Sequence, residues 1–111
     1  MDLLARTEEM VLLAVWRLGD NAYGVTIADM LTKTSGKKWN LGAIYVPLER
    51  LERKGYLMSH LGNSTSKRGG RRKRLYRLST VGLKALITTK KMERSLWEDI
   101  SIPMLEEEYE S

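Results

Sequence analysis

Leu41-Gly42-Ala43-Ile44-Tyr45-Val46-Pro47-Leu48-Glu49-Arg50-Leu51-Glu52-Arg53-Lys54-Gly55-Tyr56-Leu57 decides how this chain folds. Leu41, Ile44, Tyr45, Leu48 and Leu51 recur at i, i+3, i+4 and i+7, the spacing of a helix with one apolar face. Asn40 offers a side-chain oxygen to cap its start. Arg53 and Lys54 suit its last turn, and Gly55 suits a left-handed stop. Pro47 deletes one backbone hydrogen bond and predicts a local bend. The opposite side carries Gly42, Ala43, Val46, Glu49, Arg50 and Arg53. After Gly55 the period drops to two. Residues 56–61 read as a strand and 62–72 as a polar, glycine-containing loop. A second strand follows at 74–78, with Tyr76 and Leu78 on one face and Leu75 and Arg77 on the other.

Towards the N-terminus, Thr7 is the expected cap of a first helix, with Glu8 and Glu9 in its first turn. Its spaced apolar residues are Val11, Leu12, Val15, Trp16 and Leu18, and Gly19 ends it. A second helix is expected over 23–34, turning Gly24, Ile27, Ala28 and Leu31 inward. Trp39, just before the Asn40 cap, staples the entry to the third helix. Towards the C-terminus, Ser79 caps a long helix over 80–100, which Pro103 stops. The order is helix, helix, helix, strand, strand, helix. The expected class is mainly α with a small β-hairpin: a winged helix-turn-helix at 1–78, a C-terminal dimerisation helix at 79–103, and an acidic disordered tail at 104–111.

Composition narrows the chemistry. At 111 residues with 42% apolar content, the chain can fill one core but is marginal as a lone unit. Cysteine is absent and His60 is the only histidine, so thiolate and multi-histidine metal sites are excluded. No Ser/His/Asp set can be built around that one imidazole away from the hairpin, and the glycine-containing stretch at 67–72 lacks Walker spacing. No cofactor, metal or enzymatic activity is expected. The first residues lack a signal-peptide pattern, and the apolar run at 10–16 is too short to span a bilayer. The expectation is a soluble, cytoplasmic protein with no membrane partner.

The net charge of +5 and pI near 9.6 favour a polyanion partner. Lys67, Arg68, Arg71, Arg72, Lys73, Arg74 and Arg77 place seven cations in eleven residues with no acid among them. Gly69 and Gly70 let that loop approach a backbone closely, so its cations can hold phosphates or enter a minor groove. On the third helix, Gly42, Ala43 and Val46 are small enough to bring a helix against base edges and thymine methyls. Asn40 and the free amides of the first turn can meet a phosphate, with Arg50 beside the groove. A basic loop alone is weak evidence, but one that joins two strands directly after a helix-turn-helix is specific. The expected partner is double-stranded DNA, contacted by Asn40, Gly42, Ala43, Tyr45, Val46 and Arg50 from the helix. Lys67, Arg68, Gly69, Gly70, Arg71, Arg72 and Lys73 would contact it from the hairpin.

These segments resemble the PadR family of transcriptional regulators. The stretch from Ala22 to Ala28 is similar to its second-helix signature. Gly42-Ala43-Ile44-Tyr45 with Leu48 to Leu57 resembles its recognition helix and exit, and Gly69 to Ser79 its wing. Two departures stand out: the family usually has Thr where Ala43 stands, and its proline directly follows the helix tyrosine, whereas here Val46 intervenes before Pro47. The resemblance, closest to the short PadR subgroup, implies a homodimer built by the first and last helices, acting as a repressor on a pseudo-palindromic operator. The residues themselves favour pairing too, because a helix over 80–100 carries more apolar length than a small winged domain can cover. In some relatives, aromatic residues of the last helix line a cavity for flat apolar compounds. Trp16, Met92, Leu96 and Trp97 are the residues placed for such an effector or for plain dimer packing. Two other classes remain open: an RNA-binding winged helix, which would show exposed stacking aromatics, and a protein–protein adaptor, which would show an exposed apolar recognition face.

Overall fold

The computed structural model describes residues 3–62 and 72–111. Five helices and one hairpin run in the order α1 (Arg6–Leu18), α2 (Gly24–Ser35), α3 (Leu41–Arg53), β1 (Leu57–Leu61), β2 (Arg74–Leu78), α4 (Thr80–Trp97) and α5 (Ile102–Glu110), with a 3-10 turn at Gly19–Asn21. β1 and β2 pair antiparallel, with Leu57 opposite Leu78 and Ser59 opposite Tyr76. The Tyr76 amide also donates to the Ala22 carbonyl at 2.9 Å, which ties the hairpin to the turn before α2.

The core sits where α1, α2, α3 and the base of the hairpin meet. Val11, Leu12, Ile27, Ile44, Leu48 and Leu51 are fully buried there. Each such side chain contributes about 1.5–3 kcal/mol relative to exposure. The inward positions expected of α2, namely Gly24, Ile27, Ala28 and Leu31, are all buried. On β2, Tyr76 is buried and Arg77 exposed, as strand alternation requires.

The buried face of α3 is rotated from the expected one. Ile44, Pro47, Leu48 and Leu51 point inward, while Leu41 and Tyr45 are exposed. These four also follow the helical period. Pro47 joins the core because its ring is apolar and its missing amide asks for no partner there. The helix stops as its sequence suggests. Tyr56 N donates to Leu51 O at 2.9 Å and Gly55 N to Glu52 O at 3.0 Å. With Gly55 at φ 82°, this is a Schellman closure.

Several ends differ from expectation. α1 begins at Arg6 rather than after a Thr7 cap, because the Glu8 carboxylate reaches back to the Ala5 amide at 2.9 Å and satisfies that donor. Tyr23 precedes α2 instead of opening it, its amide donating to Thr26 Oγ1 at 3.0 Å. α4 ends at Trp97, not at residue 100, and Asp99 takes a left-handed φ of 63° beyond it. Pro103 does not merely block continuation: it lies in the first turn of α5, which Ser101 caps. Proline suits that turn because its missing amide is unpaired there in any case. The acidic tail, expected to be disordered, is therefore helical over Ile102–Glu110.

Candidate nucleic-acid interface

Asn40 Oδ1 accepts the Ala43 amide at 2.8 Å and sets the start of α3. Its oxygen is thereby committed to the cap, and its amide nitrogen remains for an outside acceptor. Behind this cap, Gly42, Ala43, Val46, Arg50 and Arg53 are exposed. The slim N-terminal half of the outer face and the two arginines at its far end thus stand on one accessible helix surface.

Tyr45 leaves this row and points toward the hairpin. It shares a cleft of about 680 Å³ with Tyr23, Glu49, Glu52, Arg72 and Lys73. The Lys73 ammonium stands 4.4 Å from the centre of the Tyr23 ring and donates to its hydroxyl at 3.4 Å. The Arg72 Nε donates to the Gly62 carbonyl at 2.9 Å across the hairpin. The structure therefore brings Tyr45 together with Arg72 and Lys73. Asn40, Gly42, Ala43, Val46 and Arg50 do not line that cleft. Lys67, Arg68, Gly69, Gly70 and Arg71 lie outside the described residues.

Two contributors were not singled out from the sequence. The Ser59 hydroxyl donates to the Glu52 carboxylate and accepts from Arg74 Nη1 at 2.9 Å. This relay joins the last turn of α3 to the base of the hairpin. Ser59 pairs with Tyr76, so Arg74 is its diagonal neighbour on the same sheet face, a relation that strand register alone could have revealed. Tyr23 is the second, hidden because its position reads as a helix start.

The rest of the scaffold is fixed by polar ties between element ends. Ser79 Oγ donates to Gly55 O at 2.6 Å and accepts from Gly82 N at 3.0 Å, joining the exit of α3 to the start of α4. Lys54 Nζ lies 2.7 Å from Glu8 Oε2, joining the exit of α3 to α1. Burial alone would raise the Glu8 carboxyl, but Lys54, the Ala5 amide and Arg50 outweigh it and hold it below its ordinary value. Glu9 goes the other way. Burial and the neighbouring Glu93 carboxyl raise it, against Arg6 and Lys90.

Of the residues placed for an effector or interface, Met92, Leu96 and Trp97 share a depression of about 290 Å³ with Leu4 and Thr89. Trp16 does not line it and stands 63% exposed on α1. The Thr89 hydroxyl is buried without a hydrogen-bond partner among the described residues. No group of three or more His, Asp or Glu is gathered for a metal among the described residues. No described helix is long and apolar enough to cross a membrane.

Comparison with known proteins agrees with this arrangement. A PadR family transcription regulator from Clostridium difficile R20291 is 30% identical, over 87% of this chain and 97% of that one, with a TM-score of 0.61. A PadR-like transcription factor from Bacteroides fragilis is 26% identical, over 85% of each chain, with a TM-score of 0.67. A PadR family regulator from Eggerthella lenta DSM 2243 is 25% identical, over 86% of this chain and 80% of that one, with a TM-score of 0.66. No curated protein matches the sequence. The family model for the transcriptional regulator PadR-like family matches residues 12–88, spanning α1 to α4, and the chain belongs to that family.

Proposed function

We propose that this regulator binds double-stranded DNA sequence-specifically as a homodimer and represses transcription from a pseudo-palindromic operator. The observation that carries the reading is the pairing of a slim, exposed helix face with a cationic hairpin. Gly42, Ala43 and Val46 would read base edges, Arg50 and the Asn40 amide would hold flanking phosphates, and Arg72 and Lys73 would hold the backbone beside Tyr45. The hairpin residues 67–71 add further cations and the two glycines to that contact.

Pairing is supported by the outer faces of α1 and α4. Leu13, Trp16, Ile87, Leu96 and Trp97 are all exposed in the single chain, a contiguous apolar load that calls for a partner. A two-fold dimer would set its recognition helices roughly 34 Å apart, one DNA turn. A flat apolar effector seated against Met92, Leu96 and Trp97 would release DNA by changing that spacing. The exposed apolar residues Leu41, Tyr45 and Val46 favour a protein adaptor as the second reading. The buried Tyr76 removes one stacking aromatic from an RNA-binding reading.

Fluorescence polarisation of promoter duplex, scrambled duplex and single-stranded RNA at two salt concentrations tests this. The expected result is sequence-selective duplex binding with a steep salt slope. Replacing Arg72 and Lys73 with Ala should weaken all duplexes alike and shallow the slope by about two, at roughly 0.9 per phosphate contact. Absence of duplex binding by a folded dimer would move the reading to the adaptor.

A further inference from the structure

α5 and the groove between α1 and α4 carry complementary patterns. On α5, Ile102, Leu105 and Tyr109 share one face at i, i+3 and i+7, and all three are exposed, Tyr109 at 90%. Glu106, Glu107, Glu108 and Glu110 occupy its other sides, with no base in the helix. Such a helix is poorly stable by itself. Its nine residues fall short of the about 12–15 that an isolated helix needs in water. Its carboxylates crowd the C-terminal half, where the helix dipole is already negative. Glu106 and Glu110 are like charges one turn apart. A surface with an apolar floor and a basic rim would relieve all three.

The α1–α4 groove, of about 640 Å³, is such a surface. Met10, Leu13, Leu86 and Ile87 form its floor. Lys90, Lys91 and Arg94 stand along it and make no ion pair among the described residues. Its two acids, Glu9 and Glu93, are both met by Arg6, at 3.2 and 3.6 Å. α5 does not fill the groove of its own chain. Ile102 reaches Lys90, Arg94 and Trp97, but Leu105 and Tyr109 remain exposed beyond the left-handed turn at Asp99.

We propose that α5 of one protomer lies in the α1–α4 groove of a second copy, apolar face down, with its carboxylates on Lys90, Lys91 and Arg94. The latch is reciprocal across the dimer axis. It rests on the paired-regulator reading and adds the acidic helix as the segment that selects its own kind by charge.

The chain has no cysteine, so introduced thiols report proximity without background. Full-length Leu13→Cys and Leu105→Cys proteins are mixed and treated with a short bismaleimide, while light scattering reads the mass of the untreated mixture. The expected result is a dimer whose mixed cross-link forms about tenfold faster than that between Leu105→Cys and Asp29→Cys, a control on the exposed side of α2. Adding Lys90→Glu and Arg94→Glu to the Leu13→Cys partner should slow the reaction to the control rate, and Glu107→Lys with Glu110→Lys on the other partner should restore it. A dimer with equal rates for both cysteine pairs overturns the latch and leaves the paired regulator standing. A monomer by light scattering overturns both. In a Leu13→Cys/Leu105→Cys double variant, a fast cross-link within single chains, independent of dilution, shows α5 in its own groove and overturns the second copy as occupant.

Discussion

A methyl group placed on Gly24 would stand 3.2 Å from the Tyr45 hydroxyl, so the first turn of α2 is the seat on which the exposed tyrosine of α3 rests. Gly24 is buried and in the first turn of its helix, where alanine is well tolerated by the backbone. Gly24→Ala should therefore fold normally, with a melting temperature within about 4 °C of the parent. The displaced group is the free end of a side chain, and it must swing within the cleft that holds Arg72 and Lys73. Duplex affinity should fall by about threefold to tenfold, or about 1 kcal/mol. Unchanged affinity in polarisation titrations would remove Tyr45 from the interface.

Val46 and the hairpin cations should fail in different ways. Val46 is 57% exposed and uncharged. Val46→Ser takes away a surface that can meet a thymine methyl and alters no charge. The salt slope should stay the same while preference at one base pair of each half-site shifts by about 1 kcal/mol. Binding to a set of single-substitution operators measures this. A uniform loss across all of them would assign Val46 to packing rather than to base reading.

Gly82 is the point where α4 passes closest to the hairpin. A Cβ there would fall inside contact distance of the Tyr56 carbonyl oxygen and also 3.2 Å from Leu78 Cδ2. That oxygen already accepts the Ser79 amide at 3.0 Å, so it is held in place by the cap of α4. Gly82→Ala must push the helix off its seat, and the usual gain of alanine in a helix cannot offset it. A destabilisation of about 3 kcal/mol or more is expected in urea unfolding. A neutral effect would mean that α4 is free to slide on the hairpin.

The elements of this fold were legible because each is written locally. Asn40, Gly55 and Ser79 announce helix ends through their own hydrogen-bonding and backbone preferences, and Tyr76 announces the inward strand face by alternation. What stayed hidden depends on distant partners. Tyr45 fits the apolar stripe of α3 as well as Pro47 does, and only the position of α2 decides which faces the core. The Glu52–Ser59–Arg74 relay joins residues whose meeting requires the hairpin register. α5 escaped because acidic composition argues against a helix, while the Ser101 cap and early proline argue for one. Of the site, Tyr45, Arg72 and Lys73 come together, and the stretch from Lys67 to Arg71 lies outside the described residues.

Glu8 and Glu9, adjacent in α1, should push stability in opposite directions with pH. Glu8 is held below the ordinary carboxyl value of 4.5, with Lys54 and the Ala5 amide outweighing its burial. Its contribution is complete above that ordinary value and is lost as pH falls through the lowered folded one. Glu9 is raised above 4.5 by burial and by Glu93. Its contribution is complete below the ordinary value and is lost as pH rises through the raised folded one. At pH 7 the fold therefore gains from the charge on Glu8 and loses from the charge on Glu9. Glu8→Gln should lower the melting temperature at pH 7 and flatten its fall in acid. Glu9→Gln should raise the melting temperature at pH 7 by about 2–5 °C and bring little change near pH 3.5, where the parent already holds that proton. Thermal unfolding of both variants between about pH 3 and pH 8 checks the pair. A Glu9→Gln protein that melts below the parent at pH 7 would mean that Arg6, 3.2 Å from the carboxylate, more than offsets its burial beside Glu93.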